Sequence, residues 1–339
     1  MSARAFITGL SGLAVTPEER AFLREARPWG LILFKRNIES KAQVIRLIGE
    51  ALSEVGAEAP VLIDQEGGRV QRLQPPLWPA YPPGAAYGAI YAKDKAKGLA
   101  AAKLGARLIA ADLQELGINV DCLPLADVPV AGADQVIGNR AYGDTPEQVS
   151  AVAQAVTDGL AEGGVLPVLK HIPGHGRANA DSHLALPTVS TDRGTLERSD
   201  FAAFKPLAGL PMAMTAHVVF NAIDPVSPAT TSVTMIGEVI RGFIGFGGLL
   251  MSDDVSMNAL SGTLAERTRA SIAAGCDVAL HCNGKMDEMK AVASEAPELA
   301  GEAAKRAAAA LASRKPAAAI DLADARRQFA AMMAGQVSA

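Results

Sequence analysis

The 339-residue sequence predicts an α/β protein folded as a single (β/α)8 TIM-type barrel with C-terminal helices. Two observations predict it: short apolar runs alternate with helix-like stretches, and polar, chemically capable residues crowd the ends of the runs. A barrel gathers every strand C-terminus around one mouth, whereas an open doubly wound sheet concentrates its site at one switch point. Chemistry at the ends of about seven different runs therefore favours the barrel.

The runs come in order. Residues 30–34 lead into Lys35, Arg36 and Asn37, and residues 60–63 into Asp64, Gln65 and Glu66. Residues 118–123 lead to Pro124 and Asp127, and residues 165–169 to Lys170 and His171. Residues 212–214 end at Thr215, Ala216 and His217; residues 248–251 end at Ser252, Asp253 and Asp254; residues 276–280 end at His281 and Cys282. Near-continuous apolar runs suit strands buried on both faces of a parallel sheet. Between them, residues 41–55, 97–116 and 145–162 carry apolar side chains at helical spacing. Ser40 precedes the first as a cap, and Thr145-Pro146-Glu147 opens the third with proline in the first turn. From about residue 302 to 339 the chain is alanine-rich, with Lys305, Arg306, Arg314, Arg326 and Arg327 interspersed. That pattern predicts helices packed on the barrel wall and broken near Pro316, inside one catalytic domain spanning residues 1–339.

Bulk properties exclude several classes. A net charge of −4 with no Lys/Arg block offers no electrostatic reason to bind nucleic acid. The three cysteines, Cys122, Cys276 and Cys282, suit a reducing compartment better than a disulfide framework. The opening Met1-Ser2-Ala3-Arg4-Ala5-Phe6 meets charge too soon for a signal peptide, and no apolar run approaches a membrane span. A soluble, cytoplasmic protein that acts as a monomer is expected.

The most informative stretch is Lys170-His171-Ile172-Pro173-Gly174-His175-Gly176, followed by Asp181-Ser182-His183. Three of only five histidines fall within thirteen residues, on a segment whose glycines and proline forbid regular structure. Histidine trades protons near neutrality. Lys170 and His171 arrive together at a strand end, where an unpartnered buried lysine would be costly. His175 reads as structural, bonding the loop to itself. In an extended segment Asp181 and His183 would point the same way, so the carboxylate could orient the imidazole. Zinc held by His171, His175, Asp181 and His183 is the competing reading, disfavoured because the proline and glycine prevent one helical face from presenting both imidazoles.

Asp64-Gln65-Glu66-Gly67-Gly68-Arg69-Val70-Gln71-Arg72 could be a tight turn with a surface ion pair. It could equally bring backbone close to a ligand through its glycines, with Asp64 gripping sugar hydroxyls. Arg140, in Gly138-Asn139-Arg140, could meet an anionic or carbonyl group of a substrate. At Ser252-Asp253-Asp254 adjacent side chains face opposite sides, and alternation alone leaves open which aspartate enters the mouth.

Together these motifs resemble the glycoside hydrolase family 3 β-N-acetylglucosaminidases of bacterial cell-wall recycling, the NagZ-type enzymes, over roughly residues 5 to 285. The resemblance implies hydrolysis of terminal N-acetylglucosamine from muropeptides bearing 1,6-anhydro-N-acetylmuramic acid, without cofactor or metal. It implies Asp253 as nucleophile, His183 as general acid/base and Asp181 as its dyad partner. It places Asp64, Arg72, Arg140, Lys170 and His171 at sugar-binding positions. The chain stops after the barrel, which resembles the single-domain form of the family. The glycine-rich loop is expected to move, carrying His183 to the substrate.

Overall fold

The computed structural model describes residues 2–335, and among them one nine-stranded parallel sheet dominates. Its strands are β1 (Arg4–Gly9), β2 (Pro28–Leu33), β3 (Val61–Ile63), β4 (Val120–Asp121) and β5 (Leu166–Pro167). They continue with β6 (Leu169–Ile172), β7 (Met212–Thr215), β8 (Leu249–Asp254) and β9 (Val278–His281). Pairing runs from β1 through β2, β3 and β4 to β5 on one side. On the other side it runs from β1 through β9, β8 and β7 to β6. β5 and β6 are two halves of one stave, separated only by Val168, whose N–H donates to the carbonyls of Asp121 (3.1 Å) and Leu123 (2.7 Å). The ring closes on eight staves, as the sequence predicts.

One stave escaped the sequence reading. β1 offers only Ala5, Phe6 and Ile7 as an uninterrupted apolar run, too short to stand out from background. It is nonetheless buried almost throughout, because it pairs on both edges and closes the circle.

Alternation within the strands sorts the core. Ile7, Ile32, Leu62, Leu166, Met251 and Leu280 point inward and fill the barrel. Their neighbours Phe6, Leu31, Leu33, Ile63, Leu250 and Ala279 point outward under the helices. Burial on both faces is what made the runs continuous in apolar residues.

Helix α1 (Pro17–Ala26) follows β1, and α2 (Lys41–Val55) matches its predicted bounds, with the Ser40 hydroxyl accepting from the Gln43 N–H. α3 (Gly84–Lys93) and α4 (Lys95–Gln114) follow, α4 starting two residues before the prediction because Asp94 caps it. α5 (Pro146–Glu162) is capped by Thr145 as expected.

The tail corrects one expectation. Its helices, Gly301–Ala312 and Leu322–Met333, do flank Pro316, but the first does not lie on the wall. Ala307 and Ala310 join the inward-facing cluster and plug the barrel floor, where Arg306 donates to Asp277 at 2.9 Å. Small side chains suit that task because they let a helix approach the ring of strand ends. The second helix does pack on the wall: Arg326 pairs with Asp112 of α4 at 2.7 Å, and Phe329 packs against Tyr81 and Tyr87. Residues 336–339 of the predicted tail lie outside the described residues. Among the described residues, no helix is long and apolar enough to cross a membrane.

Candidate active site

Inward alternation continues past the apolar layers and ends in polar side chains at the mouth. Leu62 is followed two residues on by Asp64, Val168 by Lys170 and Met251 by Asp253, with Phe34 and Cys282 reached the same way. Asp253 therefore shares the inward parity of Met251, which decides the choice that alternation left open. All eight residues singled out in the sequence, Asp64, Arg72, Arg140, Lys170, His171, Asp181, His183 and Asp253, line one cavity of about 260 Å³.

The cavity wall is built on an ionic lattice. Lys170, 2% exposed, donates to Asp64 at 2.9 Å and lies 2.7 Å from Glu66. Arg72 donates to the other Asp64 oxygen at 2.9 Å, and Arg140 grips both Glu66 oxygens at 2.7 and 2.9 Å. Burial pushes the Asp64 carboxyl up, but Lys170 and Arg72 outweigh it and hold it well below the usual carboxylate range. Glu66 is likewise raised by burial and pulled down by Arg140 and Lys170, to about 2. Burial disfavours the Lys170 ammonium, yet Asp64 and Glu66 raise it above its ordinary value. Fixed charges with spare lone pairs and N–H groups are suited to sugar hydroxyls. Arg140 gives three of its five N–H groups to Glu66 and the Val136 carbonyl, so it is tied into the wall while it still lines the cavity. Glu66 was quoted in the motif but not chosen. Its position two residues beyond Asp64 was the signal that could have found it.

Of the two readings open for the glycine pair, the structure shows the tight turn. Gly67 (φ +101°) and Gly68 (φ +55°) accommodate the backbone at Pro82 and Pro83, where any Cβ would collide, and the Gly68 N–H donates to Tyr81 at 2.8 Å. They hold a loop, not a ligand.

His171 is oriented from below. Asp127, wholly buried, accepts its Nδ1–H at 2.7 Å and also the His175 N–H at 2.6 Å. Burial raises the Asp127 carboxyl, but His171 and His175 bring it below its ordinary value, so it accepts and cannot donate. That fixes a proton on Nδ1. Asp127, suspected only of lying near the mouth, is thus a support and not a contact.

His175 is 3% exposed, and its Nε2 lies 3.1 Å from the Ser182 hydroxyl, tying the loop to itself as the sequence suggested. Burial and the neighbouring His171 lower it to about 4, so it is neutral. Ser182, between the dyad residues, is also fastened by its carbonyl, which accepts the Ala259 N–H at 3.2 Å.

Asp181 and His183 meet through a turn and not through strand alternation. Asp181 Oδ1 accepts the His183 N–H at 2.9 Å and its ring Nδ1–H at 2.8 Å, while the Leu184 N–H donates to the Asp181 carbonyl at 2.9 Å. An Asx turn places the pair, which explains why the contact forms in a non-extended loop. The His183 side chain is 66% exposed, at the rim. Arg177, clamped on Asp200 at 2.9 Å, anchors the loop at one end. The pairing of Thr188–Val189 with Val219–Phe220 anchors it at the other.

Asp253 and Asp254 have unequal freedom. Asp254 accepts from the Ser256 N–H (3.0 Å), the Ser256 hydroxyl (2.7 Å) and the Cys282 N–H (3.2 Å). Asp253 accepts only the Asp254 N–H, at 2.8 Å through Oδ1, so Oδ2 stays available to the cavity. Burial raises its carboxyl, but the imidazoles of His217 and His171 and that N–H carry it below the ordinary value. It is an anion facing the cavity. Phe34 forms a further wall, with the guanidinium carbons of Arg36 and Arg72 at 4.9 and 5.3 Å from its ring centre. Among the described residues, no group of three or more His, Cys, Asp or Glu side chains is arranged to hold a metal ion.

Comparison with known proteins places this arrangement. The model of the glycosyl hydrolase family 3 N-terminal domain matches residues 7–312. A β-hexosaminidase of Alkalilimnicola ehrlichii is 41% identical over 281 residues, 81% of this chain and 79% of the relative. A β-hexosaminidase of Aromatoleum aromaticum is 34% identical over 335 residues, 97% of this chain and 93% of the relative. The crystal structure of NagZ from Neisseria gonorrhoeae in complex with N-trifluoroacetyl-D-glucosamine superposes with a TM-score of 0.87 at 31% identity, covering 100% of this chain and 99% of that one.

Proposed function

The chain belongs to glycosyl hydrolase family 3, and from that membership we propose that it is a retaining exo-β-N-acetylglucosaminidase. Its substrates would be muropeptides in which N-acetylglucosamine is joined to 1,6-anhydro-N-acetylmuramic acid, released during peptidoglycan recycling. In this reading, residues 1–339 form one catalytic domain that works in the cytoplasm as a monomer without cofactor or metal. The observation that carries the reading is one cavity lined by a free aspartate oxygen, a carboxylate-oriented imidazole and a lattice of charged hydroxyl binders.

Asp253 Oδ2 attacks the anomeric carbon while protonated His183 gives its Nε2 proton to the departing oxygen. The glycosidic bond breaks, and a glycosyl ester forms on Asp253. Neutral His183 then takes a proton from water, whose oxygen attacks the same carbon and frees Asp253 with net retention. Most retaining glycosidases use two carboxyl groups; here an imidazole replaces one. Asp181 orients the ring and stabilises the imidazolium, as the carboxylate does in the serine-protease triad. Asp64, Arg72, Arg140, Lys170 and His171 hold the sugar, with Arg140 also fixing Glu66 beside them. Because the rim position of His183 is far more open than the rest of the site, the loop between Arg177 and Thr188 closes on bound substrate.

A substrate-assisted route would need a second carboxylate to orient the acetamido group. Asp254 is spent on Ser256 and Cys282, which argues against it.

The test is turnover of aryl β-glycosides with and without EDTA, followed by trapping with a 2-fluoro or 5-fluoro sugar. Hydrolysis selective for the N-acetylglucosaminide, unaffected by chelation, with label on Asp253, is expected. No turnover, loss on chelation, an oxazoline product or label elsewhere would overturn the reading.

A further inference from the structure

Behind the candidate nucleophile, outside the cavity lining, lies a closed ring of hydrogen bonds through three side chains that are wholly buried: Thr215, His217 and Thr230. The Asp253 N–H lies 3.3 Å from the Thr215 hydroxyl oxygen, which lies 2.8 Å from that of Thr230. Thr230 Oγ1 lies 2.7 Å from His217 Nδ1, and His217 Nε2 lies 3.0 Å from the Asp254 carbonyl oxygen. The ring leaves the Asp253–Asp254 dipeptide at its N–H and returns at its C=O.

Its two ends set the direction of donation around a ring in which the Thr230 hydroxyl serves His217. The Asp253 N–H can only donate and the Asp254 carbonyl can only accept. His217 must therefore carry its proton on Nε2 and accept at Nδ1 from Thr230. Thr230 must in turn accept from Thr215, and Thr215 from Asp253. The Ala216 carbonyl, 3.1 Å from the Thr230 oxygen, competes with His217 for that hydroxyl proton. Burial lowers His217 despite the nearby aspartates, which favours the neutral imidazole the ring requires.

We propose that Thr215, Thr230 and His217 are positioning residues for the Asp253 carboxylate, holding its peptide from both ends so that Oδ2 stays aimed into the cavity. This rests on Asp253 being the nucleophile. Among the described residues its side chain accepts one local N–H, at Oδ1, and no other hydrogen bond steadies it, so backbone placement decides where Oδ2 sits. Misplacement of a reacting atom by ~1 Å lowers rate by as much as about a hundredfold without a comparable effect on binding.

The experiment compares Thr230→Val, Thr230→Ser, Thr215→Val and the double valine variant on an aryl N-acetyl-β-glucosaminide. Active sites are counted by fluoro-sugar labelling and folding is checked by thermal melting. Thr230→Val is expected to lower kcat per active site on the order of tenfold, with KM within about twofold, and to slow Asp253 labelling in proportion. Thr230→Ser should restore most of that loss. The double variant should be no worse than the poorer single one, since a ring opened once is open throughout. Thr215→Val carries the same expectation should Thr230→Val not fold. Unchanged kcat per active site, equal losses for serine and valine, or singles that multiply in the double would overturn the assignment. Label on another residue in the wild-type enzyme would instead overturn the nucleophile reading itself.

Discussion

Asp181 holds His183 twice through a single oxygen, Oδ1, which accepts both the backbone N–H and the ring Nδ1–H. Burial is the strongest single influence on the Asp181 carboxyl and raises it, but the hydrogen bonds and charge of His183 together outweigh it, and the net position is below its ordinary value. An ionised acceptor leaves Nδ1 protonated and Nε2 free to exchange a proton with substrate.

Asp181→Asn keeps an acceptor oxygen but removes the charge. We expect kcat/KM on the natural disaccharide to fall on the order of a hundredfold, within the usual range for acid–base assistance. His183→Ala should lose more on that substrate and much less on an aryl glycoside whose leaving group needs no proton. Steady-state kinetics on both substrates check this, and equal losses would contradict the acid role.

Asp253 and Asp254 should separate cleanly. Asp253→Asn leaves the fold intact and removes the attacking oxygen, so kcat should drop by about 10⁴-fold or more. Asp254→Asn instead disturbs the contacts to Ser256 and Cys282. Its melting temperature should fall while the active-site-normalised kcat suffers far less.

Lys170→Met removes the ammonium that Asp64 and Glu66 share, leaving Asp64 with Arg72 and Glu66 with Arg140 as their remaining charge partners. Breaking a buried pair from one side costs about 3–5 kcal/mol, so the denaturant midpoint should fall markedly and KM should rise in whatever folds.

His175 gives the fold a pH dependence with a definite sign. Its folded pKa of about 4 lies below the unfolded value of about 6.5, so the unfolded chain binds the proton first. The stability it contributes is full above about pH 6.5 and is lost as pH falls towards about 4, by about 3 kcal/mol. His175→Gln cannot titrate. Its unfolding free energy, measured against the wild type by denaturant titration between pH 7 and 4, should fall less steeply. Parallel curves would show that His175 does not titrate as described.

Much of the site was legible before any coordinates. Barrel strands are buried on both faces, so their apolar runs and polar endings stand out, and the motif residues fall at those endings. β1 was not legible because three apolar residues carry no period. Glu66 was passed over because an ion pair 74 residues away in sequence, with Arg140, defines its role. His217 and Asp127 could be named near the mouth, yet nothing local distinguishes a supporting side chain from a contacting one. The glycine pair stayed open between two readings for the same reason: a positive φ is written in the residue type, but what it makes room for lies at Pro82 and Pro83.

The amino-acid order alone determined the period of the strands, their number to within one, and the chemistry brought to the mouth, since each depends on neighbours a few residues apart. Tertiary structure alone decided which of two adjacent aspartates keeps a free oxygen at the cavity and which is consumed by Ser256 and Cys282. It also decided that the alanine-rich tail plugs the floor and that a buried ring fastens Asp253 from behind. Those outcomes depend on ring closure, which brings together groups that no local spacing relates.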